Sequence, residues 1–219
     1  MVEASAAQLP MVDPAGLPPM IVPERTALVV VDIQKDFAAP DGLLGRVGVD
    51  LACAEEAIDR IEELIAAARK AGATVAFMRV VTTPETDSNA LKTYMARTGQ
   101  PGGEAICRVA DGGADYYRVS PEAGDIEIDK LMFDSFHGTD LEQQLRDRGI
   151  DTVVMTGLST DCCVDSTARA AFHRDFHVFV VADACAAYDA DLHNHTLQVL
   201  AKNCAILTNS DAVREAWSA

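Results

Sequence analysis

Residues 26–33 read TALVVVDI, six uncharged positions closed by Asp32 and Ile33. A run this short, rich in β-branched residues and followed by Gln34, Lys35 and Asp36, predicts a strand buried on both faces, because a strand with one wet face would alternate polar and apolar residues. The next regular segment is of another kind. Leu51, Ala54, Ile58, Ile61, Leu64, Ile65 and Ala68 recur at helical spacing, with Asp50 as N-cap and Gly72 as the C′ residue. TVAFMRVV (74–81) then predicts a second buried strand.

The alternation resumes after residues 82–124, a Gly-, Pro- and Asp-rich stretch with one short helical segment at Asn89–Arg97 that reads as loops around a site. DIEIDKL (125–131) predicts a strand, and TDLEQQLRDRG a helix capped by Thr139 and stopped at Gly149. TVVMTG (152–157) is a strand before a helix over Asp161–Asp175, and HVFVVAD (177–183) a strand before a helix near Asp189–Asn203. CAILT supplies a last strand, and SDAVREAW a helix opened by Ser210. About six strands thus alternate with helices, which predicts an α/β fold: a three-layer, doubly wound sheet of mainly parallel strands with helices on both faces. Residues 25–219 read as one domain. Residues 1–24 carry five prolines and no basic stretch, so they read as an extended arm suited to a partner subunit rather than a leader or a membrane span.

With 34 acidic and 18 basic residues, the net charge of −16 disfavours nucleic acid and anionic membrane as partners. Six scattered cysteines, with no CxxC pair and no zinc spacing, predict free thiols and a cytoplasmic setting. The expected partners are a small-molecule substrate and further copies of the chain (a homo-oligomer, dimer or tetramer), with no cofactor and no metal.

Ligands of such sheets bind beyond the carboxyl ends of the strands. Three reactive residue types stand there. Asp32 ends an apolar run, where an acid is costly unless it meets a cleft or a partner; it reads as a base for a thiol or as a turn cap. Asp36 reads as a surface or turn residue. Lys130 closes the third strand, as a cation beside the acid or as a solvated strand end. Cys162 and Cys163 follow the fourth strand, where a helix N-terminus stabilises a thiolate and its amides can hold an oxyanion. Successive helical side chains diverge by about 100°, so the pair is not expected to face one site together. Packing cysteines in a ligand-binding protein, or a redox pair, are the competing readings.

Three ordered stretches carry a resemblance: ALVVVDIQKDF with its D-x-Q-x-x-F, DKLMFDSFHGTDLEQQL, and TGLSTDCCVDSTARAA, which fits G-x-x-T-x-x-C-V-x-x-T-A. From about Thr26 to Val213 the chain resembles the isochorismatase-like cysteine hydrolases, a superfamily that includes nicotinamidases, N-carbamoylsarcosine amidase, biuret hydrolases and ureidoacrylate amidohydrolases. The resemblance implies a Cys163, Asp32, Lys130 triad, with Cys163 rather than Cys162 as nucleophile. It also implies a cis peptide at Leu158–Ser159 and an oxyanion hole from the Ser159 and Cys163 N–H groups. The metal-binding histidines of nicotinamidases have no counterpart in TTPETDSNALKTYM, and the nucleophilic cysteine departs from isochorismatases proper. SNALKT and FHGTDL are similar to members acting on linear ureido or carbamoyl compounds. The implied activity is cleavage of a C–N bond in a small linear amide through a thioester. Phe37, the 82–95 loop, Phe136 and His137 are expected to line the pocket, and Arg79, Asn89 and Lys92 to meet a polar or carboxylate end of the substrate. His173, His177, His193 and His195 read as surface or helix-packing residues.

Overall fold

The computed structural model describes residues 9–218. Its first half contains β1 (Thr26–Val31), α1 (Lys35–Ala38), α2 (Leu43–Arg46), α3 (Ala52–Ala71), β2 (Thr74–Val80), α4 (Asn89–Arg97) and β3 (Ile126–Lys130). The second half contains α5 (Leu141–Asp147), β4 (Thr152–Leu158), α6 (Asp165–Phe172), β5 (His177–Ala186), α7 (Ala190–Asn203), β6 (Ile206–Thr208) and α8 (Ser210–Ala216). The strands form one six-stranded sheet in the order β3-β2-β1-β4-β5-β6, and every pairing is parallel.

The apolar run at 26–31 has the setting its composition demands. Leu28 and Val30 join the core beneath α3 and α8, while Ala27, Val29 and Val31 join the core beneath α5, α6 and α7. Both faces are covered, so β1 is apolar but for Thr26, whose hydroxyl donates to the Val22 carbonyl at 2.7 Å. The order also fixes where a ligand can sit. The chain winds outward from β1 through β2 to β3, then returns to lay β4 on the other side of β1. Loops at the carboxyl ends of β1 and β4 therefore diverge and leave a crevice.

The β1–β4 contact is close at that end. Gly157 pairs with Val31 and has φ +118°, and a Cβ there would overlap the Val31 carbonyl. Only glycine fits, and the ladder to β5 shifts register at the same place.

Several expected details change. The described part of residues 1–24 is not extended: three single 3₁₀ turns, Pro14–Gly16, Pro18–Met20 and Pro23–Arg25, fold it onto the chain's own core. Leu17 and Ile21 are fully buried there, and the Trp217 indole N–H donates to the Ile21 carbonyl at 2.9 Å. Residues 1–8 lie outside the described residues. Asp50 accepts from the Ala52 N–H, but Leu51 holds the N-cap position of α3. Asp140 holds the N-cap position of α5 without a side-chain cap bond, while Thr139 accepts from the Leu141 N–H at 3.4 Å and donates to the Ser135 carbonyl at 2.6 Å. α8 opens at Ser210 as expected; Asn209 caps it by accepting from the Ala212 N–H at 2.9 Å, and Ser210 donates its N–H and hydroxyl to the Asp183 carboxylate at 2.8 and 2.7 Å. No helix of the described residues is long and apolar enough to cross a membrane, and all six cysteines are free thiols.

Candidate active site

Three strand ends converge on one point. Asp32 follows β1 directly, with φ +55°, a left-handed conformation that Asp tolerates better than most residues. Its N–H donates to the Met78 carbonyl, and its side chain is wholly buried. Lys130, the last residue of β3, reaches it from two strands away: Nζ donates to Asp32 Oδ2 at 2.8 Å. The remaining Nζ donors go to the carbonyls of Met132 and Phe133, both at 3.1 Å. Lys130 is 1% exposed, so a lysine at a strand end is here an interior cation with every donor matched.

The carboxylate is not matched. Asp32 Oδ1 is buried and has no hydrogen-bond partner. Burial pushes the Asp32 carboxyl above the ordinary carboxylate range, against the opposing pull of the Lys130 charge and of the adjacent Cys163 thiol. Burial also works against the Lys130 ammonium, but Asp32 and Cys163 together outweigh it and hold the lysine charged.

Cys163 comes from the turn after β4. The Leu158–Ser159 peptide bond is cis. The helix expected from Asp161 opens instead as a π turn, Thr160–Val164, before α6. The Val164 N–H donates to the Ser159 carbonyl, and the Asp165 N–H to the Thr160 carbonyl; neither bond uses the Cys163 N–H. The Ser159 N–H has no backbone acceptor among the described residues. Two threonines of the motif anchor this turn. Thr160 Oγ1 lies 2.8 Å from His193 Nδ1 on α7, and Thr167 bonds Ser135 at 2.9 Å.

The turn corrects two expectations. Cys162 and Cys163 both line the cavity, since a π turn holds more residues than an α turn and its neighbouring side chains diverge less. The Cys163 thiol is not depressed by the helix end. The neighbouring Cys162 thiol, burial and the Asp32 charge push it well up, despite Lys130, and it lies beside an Asp32 carboxyl with a free oxygen. An acid with an open lone pair, a fixed cation and a buried thiol can together move a proton and expose a sulfur nucleophile.

Cys163 lines a cavity of about 230 Å³, below the ~300–1,000 Å³ of sites for drug-sized ligands, while Asp32 and Lys130 are buried and are not among its lining residues. Its walls are mostly apolar, and they include Phe37, Leu44, Leu91, Met95, Phe133 and Tyr188. Of the expected walls, Phe37 and the 82–95 loop, through Thr82, Leu91 and Met95, are present; the other expected residues are not. Arg79 bonds Asp129 at 2.5 Å, pairs with Glu127 at 3.1 Å and lies over the Tyr116 ring. Asn89, Lys92 and His137 are exposed, and none lines the cavity. Phe136 packs against Phe176 instead, with ring centroids 5.8 Å apart.

Other residues were unforeseen. Asp36 is buried, not superficial, and accepts from the N–H groups of Leu43 and Cys107 at 2.9 and 2.8 Å. Gln34 is fully buried; its amide donates to Val80 O at 2.7 Å and Ala114 O at 2.9 Å, and accepts from the Val80 N–H at 2.7 Å. It ties the end of β2 to the 106–116 loop. The Q of D-x-Q-x-x-F was visible in the sequence as a polar residue beside an apolar strand. His193, read as surface or packing, is the anchor of Thr160. Among the described residues, no group of three or more His, Cys, Asp or Glu is arranged to hold a metal ion.

A family model described as an isochorismatase domain matches residues 26–212. The ureidoacrylate amidohydrolase RutB of Methylobacterium radiotolerans is 38% identical over 177 residues, covering 74% of this chain and 67% of that protein. A solved cysteine hydrolase from Pseudomonas syringae pv. phaseolicola superposes with a TM-score of 0.79 at 26% identity, over 100% of this chain and 99% of that one. The N-carbamoylsarcosine amidase of Thermoplasma acidophilum gives a TM-score of 0.67 at 29% identity, over 85% of this chain and 97% of that one.

Proposed function

Since the chain belongs to the isochorismatase family, we propose that it is a cysteine-dependent amidohydrolase cleaving a C–N bond of a small linear amide, ureido or carbamoyl compound. The observation that carries this reading is the asymmetry of Asp32: Oδ2 is held by Lys130, while Oδ1 is buried without a partner beside the Cys163 thiol. The relatives named ureidoacrylate amidohydrolase and N-carbamoylsarcosine amidase support the substrate class.

Asp32 takes the thiol proton on Oδ1 as Cys163 Sγ attacks the substrate carbonyl carbon, and the carbonyl π electrons move to oxygen. The N–H groups of Ser159 and Cys163 receive that oxyanion. Lys130 has no free N–H for it, because all three are committed to Asp32, Met132 and Phe133. Its part is the positive charge and the orientation of Asp32. The C–N bond then breaks, and the nitrogen leaves with the proton held by Asp32. Water, deprotonated by Asp32, attacks the thioester and releases the acyl product with return of the thiol.

An ammonia-release screen over ureido, carbamoyl and simple amide compounds, with Cys163→Ala as the blank, tests this reading. Release that disappears in the variant is expected. Release at the same rate in Cys163→Ala would overturn it.

A further inference from the structure

The cavity has a polar feature that the bond-breaking steps leave unused. Glu104 lines it, and no other Asp, Glu, Lys or Arg is among the lining residues. Oε2 of Glu104 is buried and has no hydrogen-bond partner. A carboxylate oxygen withdrawn from water without a donor is costly, and no described residue donates a hydrogen bond to it. Arg108, in the same loop, lies near enough for the two charges to attract, but its hydrogen bonds go to Asp87 at 2.5 and 2.7 Å and to Thr82 Oγ1 at 3.2 Å, and none goes to Glu104. The hydroxyls of the lining residues Thr82 and Tyr188 donate to the carbonyls of Ile106 and Phe37, at 2.6 and 2.7 Å. A donor for Glu104 is therefore left to the ligand.

The same inventory bears on carboxylates. Arg79 and Lys92, the cations expected to hold an acidic end of the substrate, do not reach the cavity. A substrate carboxylate would meet apolar walls and a like charge. Building on the amidohydrolase reading above, we propose that Glu104 determines specificity by accepting hydrogen bonds from the substrate end remote from the scissile bond. The substrates of this protein then carry an amine, ammonium or amide N–H there, and not a carboxylate.

The test uses three short amides of equal length that end in an ammonium, a neutral amide or a carboxylate. Their turnover is measured in the wild type, Glu104→Gln and Glu104→Lys. Their binding to the Cys163→Ala protein, with and without Glu104→Gln, is measured by calorimetry. In the wild type the ammonium compound is expected to exceed the carboxylate at least tenfold in kcat/KM, through KM. Glu104→Gln narrows the gap to about twofold with the neutral amide little changed, and Glu104→Lys reverses it. Binding to the Cys163→Ala protein follows the same order. Variants that keep the wild-type melting temperature and circular dichroism but leave the ranking unmoved would overturn the role of Glu104, as would wild-type preference for the carboxylate. Binding that follows the predicted order without any Cys163-dependent turnover supports Glu104 as the selector and removes the hydrolase reading instead.

Discussion

The sheet edge and the 82–124 segment build two sides of one cavity by different means. At the edge, Asp32, Lys130 and the Cys163 turn are each placed by the end of a parallel strand, so their spacing follows from ladder register and a single glycine contact. The segment contributes Thr82, Leu91, Met95, Gly103, Glu104 and Ile106, held by side-chain ties: Gln34 to Ala114, Asp36 to Cys107, and Arg108 to Asp87. Reactive groups on a stiff frame and wall residues on tied loops mean that the two can be altered separately, and mutations should sort accordingly.

The largest effects belong at the edge. Asp32→Asn should lower kcat by about 10²–10⁴-fold, the range for a lost general base, with KM nearly unchanged. Lys130→Met should abolish activity and also cost about 3–5 kcal/mol of stability, because it strands a buried carboxylate. Denaturant unfolding of Lys130→Met beside the Asp32→Asn/Lys130→Met double variant checks this: the double variant regains stability without regaining activity. Gly157→Ala comes next, at about 2–3 kcal/mol, since the added carbon overlaps the Val31 carbonyl and forces β1 and β4 apart. A melting curve unchanged from wild type would show that this contact does not set the edge.

On the loop side, Gln34→Leu leaves the Val80 N–H and two carbonyls without partners, at about 1–3 kcal/mol. It should raise KM more than it lowers kcat, the reverse of Asp32→Asn, and steady-state kinetics on the two variants make the contrast direct. The smallest effect is expected of Lys92→Ala, which should stay within about twofold of wild type in kcat/KM because the side chain is exposed and outside the cavity. A tenfold loss there would mean that the segment closes over the cavity in another conformation.

The difference between the regions also governs what the sequence discloses. A strand buried on both faces is apolar but for hydrogen-bonded threonines, so β1 and β4 are plain in the residue string, and an acid at the end of such a run stands out. Lys130 is less legible: in isolation it looks like any solvated strand end, and only its pairing with a residue 98 positions away explains its burial. The π turn leaves no periodic trace, which is why Cys162 was placed away from the cavity. In the 82–124 segment, position depends on tertiary ties such as Asp36 to Cys107, 71 residues apart, and no local pattern announces them. Glu104 was missed for that reason, and Arg79 and Lys92 were expected at a wall they do not form.

In the proposed mechanism the acyl group rides on Cys163 Sγ, and Asp32 is the base that frees the sulfur. Acid-quenched enzyme taken during turnover of an active amide, digested and sequenced by tandem mass spectrometry, tests it directly. The account predicts the acyl mass on Cys163 in the wild type and in Cys162→Ser, and its absence in Cys163→Ala. Acylation of Cys162, or steady turnover by the Cys163→Ala protein, would contradict it.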